Sequence, residues 1–138
     1  MNRKIIAVFG FLLLIIVVSC QSEQEIEYAR YYTSGSLIYQ SKCQNCHGKN
    51  GEGLLALIPP LTDSVYLRRN KYKLACISLN GLSGLISVSK KLYDGKMPPA
   101  GLSSLETADV LTYITNSFGN KQGTITVEKV DRDLKNCK

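Results

Sequence analysis

At 138 residues, the chain has room for one small domain with a modest core of its own. Its 17 Lys and Arg exceed its 11 Asp and Glu by a formal charge of +6, too mild an excess to point to nucleic acid as a partner. Chemistry-bearing side chains are few: one histidine and five cysteines.

The chain opens with Arg3 and Lys4 ahead of an uncharged apolar run over residues 5–18. That run is shorter than the roughly 20 residues a membrane-spanning helix needs, so residues 1–19 read as a signal peptide. Its end, Val17-Val18-Ser19-Cys20, resembles the lipobox of bacterial lipoproteins, in which the cysteine is acylated and becomes the first residue of the mature chain. The competing reading is an ordinary signal peptide with an incidental cysteine. Acylation of Cys20 implies a lipid-anchored protein on the periplasmic face of a bacterial membrane. Removal of the leader leaves 119 of the 138 residues and, with Arg3 and Lys4 gone, lowers the net charge from +6 to +4. Residues 20–34, with Glu23, Glu25 and Glu27 and little apolar periodicity, are expected to be a flexible tether reaching about 45 Å when extended.

A first helix is expected over residues 35–44, with Gly35, Ile38 and Tyr39 facing inward. It leads into Cys43-Gln44-Asn45-Cys46-His47, a C-x-x-C-H run. Two thiols at this spacing can each add across a vinyl group of one porphyrin, with His47 placed under the iron as an axial ligand. A thioredoxin-like dithiol would need a β-α-β setting and has no use for the histidine. A zinc site would need Cys43, Cys46, His47 and one of Cys76 or Cys137, but adjacent Cys46 and His47 do not readily converge on one tetrahedral ion. The wider pattern G-x-x-x-Y-x-x-x-C-x-x-C-H-G, from Gly35 to Gly48, resembles the first helix and haem-binding turn of class I cytochromes c. The resemblance implies an all-α cytochrome c fold, three to five helices around one covalently attached haem c, over residues 35–120. It also implies that Gly35 and Tyr39 cross the last helix closely.

Residues 48–53 form a glycine-rich loop that lacks the lysine and Ser/Thr of a phosphate cradle; its glycines suit a tight fold around a porphyrin edge. In class I cytochromes c a proline carbonyl in a similar Pro-Leu turn holds the proximal histidine, and Pro60 is the candidate here, with Pro59 able to serve in a different register. Residues 61–79 are expected to hold one or two short helices, capped by Thr62 or Asp63 and ended by Asn80-Gly81. Arg68, Arg69, Lys71 and Lys73 read as a solvated face. Residues 81–101 are a long loop with a β-like patch at 85–88; Leu85, Ile86, Val88 and Leu92 are expected to cover the haem. A loop of that length calls for a function. Met97 is the one methionine left after the leader is removed, and Met97-Pro98 resembles the distal ligand loop of class I cytochromes c, which makes Met97 the sixth iron ligand. A buried core methionine is the plainer alternative.

Ser103 to Glu106 has the pattern of a capping box opening the last long helix, with Leu105, Ala108, Val110, Leu111, Ile114 and Phe118 as its buried face and Tyr113 near the crossing. Residues 121–138 extend beyond the usual fold, with strand-like alternation over 124–127 and then helical spacing of Val127, Val130 and Leu134. Cys76 and Cys137, the cysteines unused by haem or lipid, are expected to form a disulfide in an oxidising compartment and pin this extension.

The expected function is one-electron transfer within a respiratory chain, without enzymatic activity, from a quinol-oxidising complex or dehydrogenase to a terminal oxidase or reductase. Lys90, Lys91 and Lys96 could steer it onto acidic partners. The alternatives are a gas or peroxide sensor, or an enzyme subunit, with a labile sixth ligand, and then a zinc-binding module.

Overall fold

The computed structural model describes residues 22–137, so the expected signal peptide, the lipobox-like run and Cys20 lie outside the described residues. Its first helix, α1 (Glu23–Ile38), begins twelve residues before the expected Gly35 start. The Ser22 hydroxyl accepts from Glu25 N at 3.3 Å, and Glu23 and Glu25 in the first turn complement the positive end of the helix dipole. The segment expected to be a flexible tether is therefore ordered helix from Glu23 onward. Its inward stripe is built from tyrosine and glycine, with Tyr31 3% exposed and Gly35 buried, a pattern that a search for aliphatic periodicity passes over.

The helix does not break before the cysteine motif. It widens into a π-helical turn, Tyr39–Cys43, in which Gln44 N donates to Tyr39 O, and then tightens again as α2 (Gln44–His47). A π turn carries one more residue than an α turn, so Cys43 to His47 is rotated relative to the stripe of α1. Gly48, with φ +81°, ends α2.

Two short helices follow, α3 (Ser64–Arg69) and α4 (Leu74–Asn80). Of the two expected caps, Asp63 is the one used: its Oδ1 accepts from Val65 N and Tyr66 N, and its Oδ2 accepts from Ser89 N at 2.8 Å. Ser89 belongs to the turn between β1 (Ile86–Val88) and β2 (Lys91–Tyr93), an antiparallel hairpin pairing Ile86 with Tyr93. The β-like patch is thus the first strand of this hairpin, whose turn residues Ser89 and Lys90 both have positive φ, as a two-residue hairpin turn requires.

The long helix α5 (Ser104–Ile114) carries the expected capping box between Ser103 and Glu106. Its crossing with α1 is the main contact of the fold. At that crossing the backbone carbonyl of Asp109 sits where a Cβ on Gly35 would be, and Tyr32, Tyr39, Tyr113 and Phe118 form a chain of rings with centroids 5.1–5.7 Å apart. The close approach expected of Gly35 and Tyr39 is present. Leu105 departs from expectation, being 51% exposed, while Thr107, Thr112 and Thr115 are buried.

Residues 124–127 form no strand. The run is held instead by Thr112, whose Oγ1 accepts from Ile125 N and donates to Ile125 O, and by Asn116, whose Oδ1 accepts from Gln122 N and Gly123 N. It leads into α6 (Val127–Leu134), capped by Thr126 and packed on α5 and α4 through the fully buried Val130.

Candidate haem site

His47 is 9% exposed and faces an apolar cavity. Its Nδ1 donates to Pro59 O at 3.2 Å, which fixes the ring and leaves Nε2 as the nitrogen free to ligate. The carbonyl is thus that of Pro59 and not Pro60. The loop's register decides this: Gly53 N donates to His47 O at 2.8 Å, and Gly53, with φ +71°, is pressed against Ile58 O and Pro59 so closely that a Cβ would collide. Burial pushes the His47 pKa down, opposed by the Pro59 carbonyl. A neutral ring, the form that binds iron, results at pH 7.

The two thiols flank His47 on the cavity rim, Cys43 half-buried and Cys46 exposed, and they are not bonded to each other. Burial, reinforced by neighbouring Cys46, pushes the Cys43 thiol up to about 11. One turn behind them Tyr39, fully buried, donates its hydroxyl to Gly48 O at 2.6 Å. This ties the first helix to the residue after His47.

Met97 lines the same cavity as His47. Its backbone is fixed: Met97 N donates to Leu82 O at 2.8 Å and Leu82 N to Met97 O at 2.9 Å. Gly81, with φ +79°, lies against Met97 O with no space for a side chain. Ile86 and Tyr93 of the hairpin also line the cavity. Val88 lines its inner part, while Leu85 and Leu92 are 65% and 64% exposed and take no share in covering it. The cavity measures about 310 Å³ and continues inward into a second of about 90 Å³, which shares Cys43, His47, Pro59 and Met97 and is walled by aliphatic side chains of α4 and α5.

These residues fit a haem c. The walls are apolar, two thiols three residues apart stand at the rim, an imidazole is oriented by its second nitrogen, and a thioether lines the same space. The zinc alternative does not assemble. Among the described residues no group of three or more His, Cys, Asp and Glu side chains is placed to hold a metal ion, and Cys76 and Cys137 are joined to each other, Cα atoms 5.7 Å apart.

Residues 32–117 match the protein family described as Cytochrome c. The chain belongs to the cytochrome c family. It is 34% identical over 91 residues to a cytochrome c-552 of Thermus thermophilus, a match covering 62% of this chain and 69% of that protein. A second Thermus thermophilus cytochrome c-552 is matched at the same identity over 61% of its length. The cytochrome c subunit of a quinone alcohol dehydrogenase from Gluconacetobacter polyoxogenes is 30% identical over 103 residues, which is 71% of this chain but 22% of that subunit. As a monohaem cytochrome c, the protein carries covalently bound haem c in a mostly helical fold. Gly53 falls in the glycine-rich loop expected at the porphyrin edge and Gly81 at the expected helix end, but Leu82 and Tyr93 carried no sign of belonging to the site, because a backbone bridge such as Leu82 to Met97 has no residue signature.

Proposed function

We propose that this cytochrome is a one-electron carrier of a respiratory chain, exported by residues 1–19 and tethered to the periplasmic face of a bacterial membrane by acylated Cys20. Cys43 and Cys46 would hold the haem through thioether bonds, and His47 and Met97 would ligate its iron. When bound, haem c supplies one-electron cycling of its iron. The chain's own part is to keep both axial positions filled and water away. His47 is held by Pro59 O and Met97 by Leu82, and aliphatic walls keep the cavity dry. A closed sixth position favours electron exchange over ligand chemistry, and thioether ligation favours the reduced iron.

What carries this reading is that His47 and Met97 line one apolar cavity, each fixed through hydrogen bonds that leave its donor atom free. The test is the absorption spectrum of holoprotein made in a host with haem maturation machinery. The far-red iron–sulfur band is expected in the oxidised state, with no carbon monoxide binding in the reduced state. In Met97→Ala the band should vanish and carbon monoxide should bind. An unchanged spectrum in the variant would rule out Met97 as ligand, and carbon monoxide binding by the wild type would favour the sensor or labile-ligand alternative.

The dehydrogenase relative favours a second reading, in which the protein serves as the cytochrome subunit of a larger oxidoreductase. Native membranes solubilised in mild detergent distinguish the two. A carrier migrates alone, whereas a subunit comigrates with dehydrogenase activity.

A further inference from the structure

The end of the chain beyond residue 117 lies outside the stretch that matches the family, and its last part is fastened to α4. α6 packs against both α5 and α4. Three residues past the end of α6, Cys137 reaches back through its disulfide to Cys76, in the first turn of α4. α4 needs such support. It is seven residues long, its N-cap Lys73 makes no side-chain capping bond, and helices this short do not persist without tertiary contacts.

α4 in turn carries the Met97 loop. Ala100 N donates to Ser78 O at 3.2 Å, and Leu82 and Met97 exchange two backbone bonds just past the helix end. Gly81, between them, is pressed onto Met97 O. Among the described residues, the backbone hydrogen bonds of residues 97–100 outside regular elements all end on Ser78 or Leu82. The backbone support of Met97 therefore comes from α4 and the residue just past it.

We propose that the C-terminal extension, fastened by the Cys76–Cys137 disulfide, is a brace that sets how tightly Met97 closes the sixth iron position. Cys76 and Cys137 are positioning residues that act through α4 and Leu82. The proposal rests on Met97 being the sixth ligand. With the disulfide intact, α4 and the loop it carries move as one body with α5 and α6. With it cut, α4 opens locally at lower cost, Met97 leaves the iron more often, and an external ligand can enter.

The test is a titration of oxidised holoprotein with imidazole, comparing wild type with Cys76→Ser/Cys137→Ser below the onset of unfolding, with the far-red band and the far-ultraviolet helix signal followed together. The variant is expected to bind imidazole about tenfold more tightly and lose the band in parallel, with the helix signal unchanged, as a local coupling of ordinary size would give. Should the variant fail to fold, folded wild-type holoprotein whose disulfide has been reduced by a dithiol, alkylated and its iron reoxidised provides the same comparison. If the wild type shows the band and cutting the disulfide leaves imidazole affinity unchanged, the brace is wrong. If the wild type lacks the band, the Met97 assignment fails instead.

Discussion

Asp63 shows how much one side chain can join. One carboxylate oxygen caps α3 and the other receives the backbone and hydroxyl of Ser89 at the hairpin turn, so a single residue fixes α3 relative to the strands that line the haem cavity. The Tyr66 N–H foremost, with the Ser89 and Val65 donors behind it, holds its pKa below the ordinary 3.8, against burial, the second-largest influence, which pushes it up. A folded-state pKa below the unfolded value means stability that is present above pH 3.8 and lost as pH falls through the folded value. Asp63→Ala should therefore cost about 1 kcal/mol at neutral pH, the usual worth of a helix cap, and the gap to wild type should narrow below about pH 4. Denaturant melts of both proteins at pH 7 and pH 3 measure this, and a gap that widens in acid would contradict it. Thr62 and Asp63 are both cap-forming by residue type, aspartate the stronger. Only the position of Ser89 26 residues later gives Asp63 its second task.

At the scale of elements, the crossing of α1 and α5 decides where the cysteine motif sits, because α1 runs into the motif without a break. Alanine at position 35 would gain about 1 kcal/mol from helix propensity. That gain is outweighed, because the added Cβ would meet the Asp109 carbonyl, which is backbone and cannot swing aside, and would come within 2.9 Å of Tyr113 Cβ. Gly35→Ala should lower stability by about 2 kcal/mol net, an overpacking cost of ordinary size. Holoprotein unfolding by denaturant tests this, and a midpoint at or above that of wild type would contradict the close crossing. The elements most legible in the sequence are those whose ends carry local chemistry: Ser103 and Glu106 opening α5, and Asn80-Gly81 closing α4. The start of α1 and the π turn were not legible. The first has a local sign in Ser22 and Glu25, but its inward face is made of tyrosines that bury themselves against α5 and the start of α6, and the second has no residue signature of its own.

For the molecule as a whole, charge is unevenly spread. Residues 64–93 carry Arg68, Arg69, Lys71, Lys73, Lys90 and Lys91 and no acid, and Lys90, Lys91 and Lys96 are exposed beside the hairpin and Met97 loop. If this side meets an acidic redox partner, the association rate should fall at least several-fold as ionic strength rises to 0.15 M, where screening acts over about 8 Å. Stopped-flow reduction by the physiological donor at several salt concentrations measures it, and a flat dependence would leave these lysines as solvated surface.

The sequence by itself determined the chemistry: a C-x-x-C-H run, one histidine and one methionine besides Met1 restrict the cofactor and its ligands before any coordinate is known, because covalent attachment and ligation depend on residue type at short spacing. It also named Cys76 and Cys137 as the pair to be joined, by elimination. Tertiary structure decided which proline carbonyl holds His47, since Pro59 and Pro60 differ only in how the loop folds over Gly53. It decided as well that residues 23–34 are helix and that the Met97 loop hangs from α4. Such outcomes depend on contacts between residues far apart in the chain, where no local pattern records them.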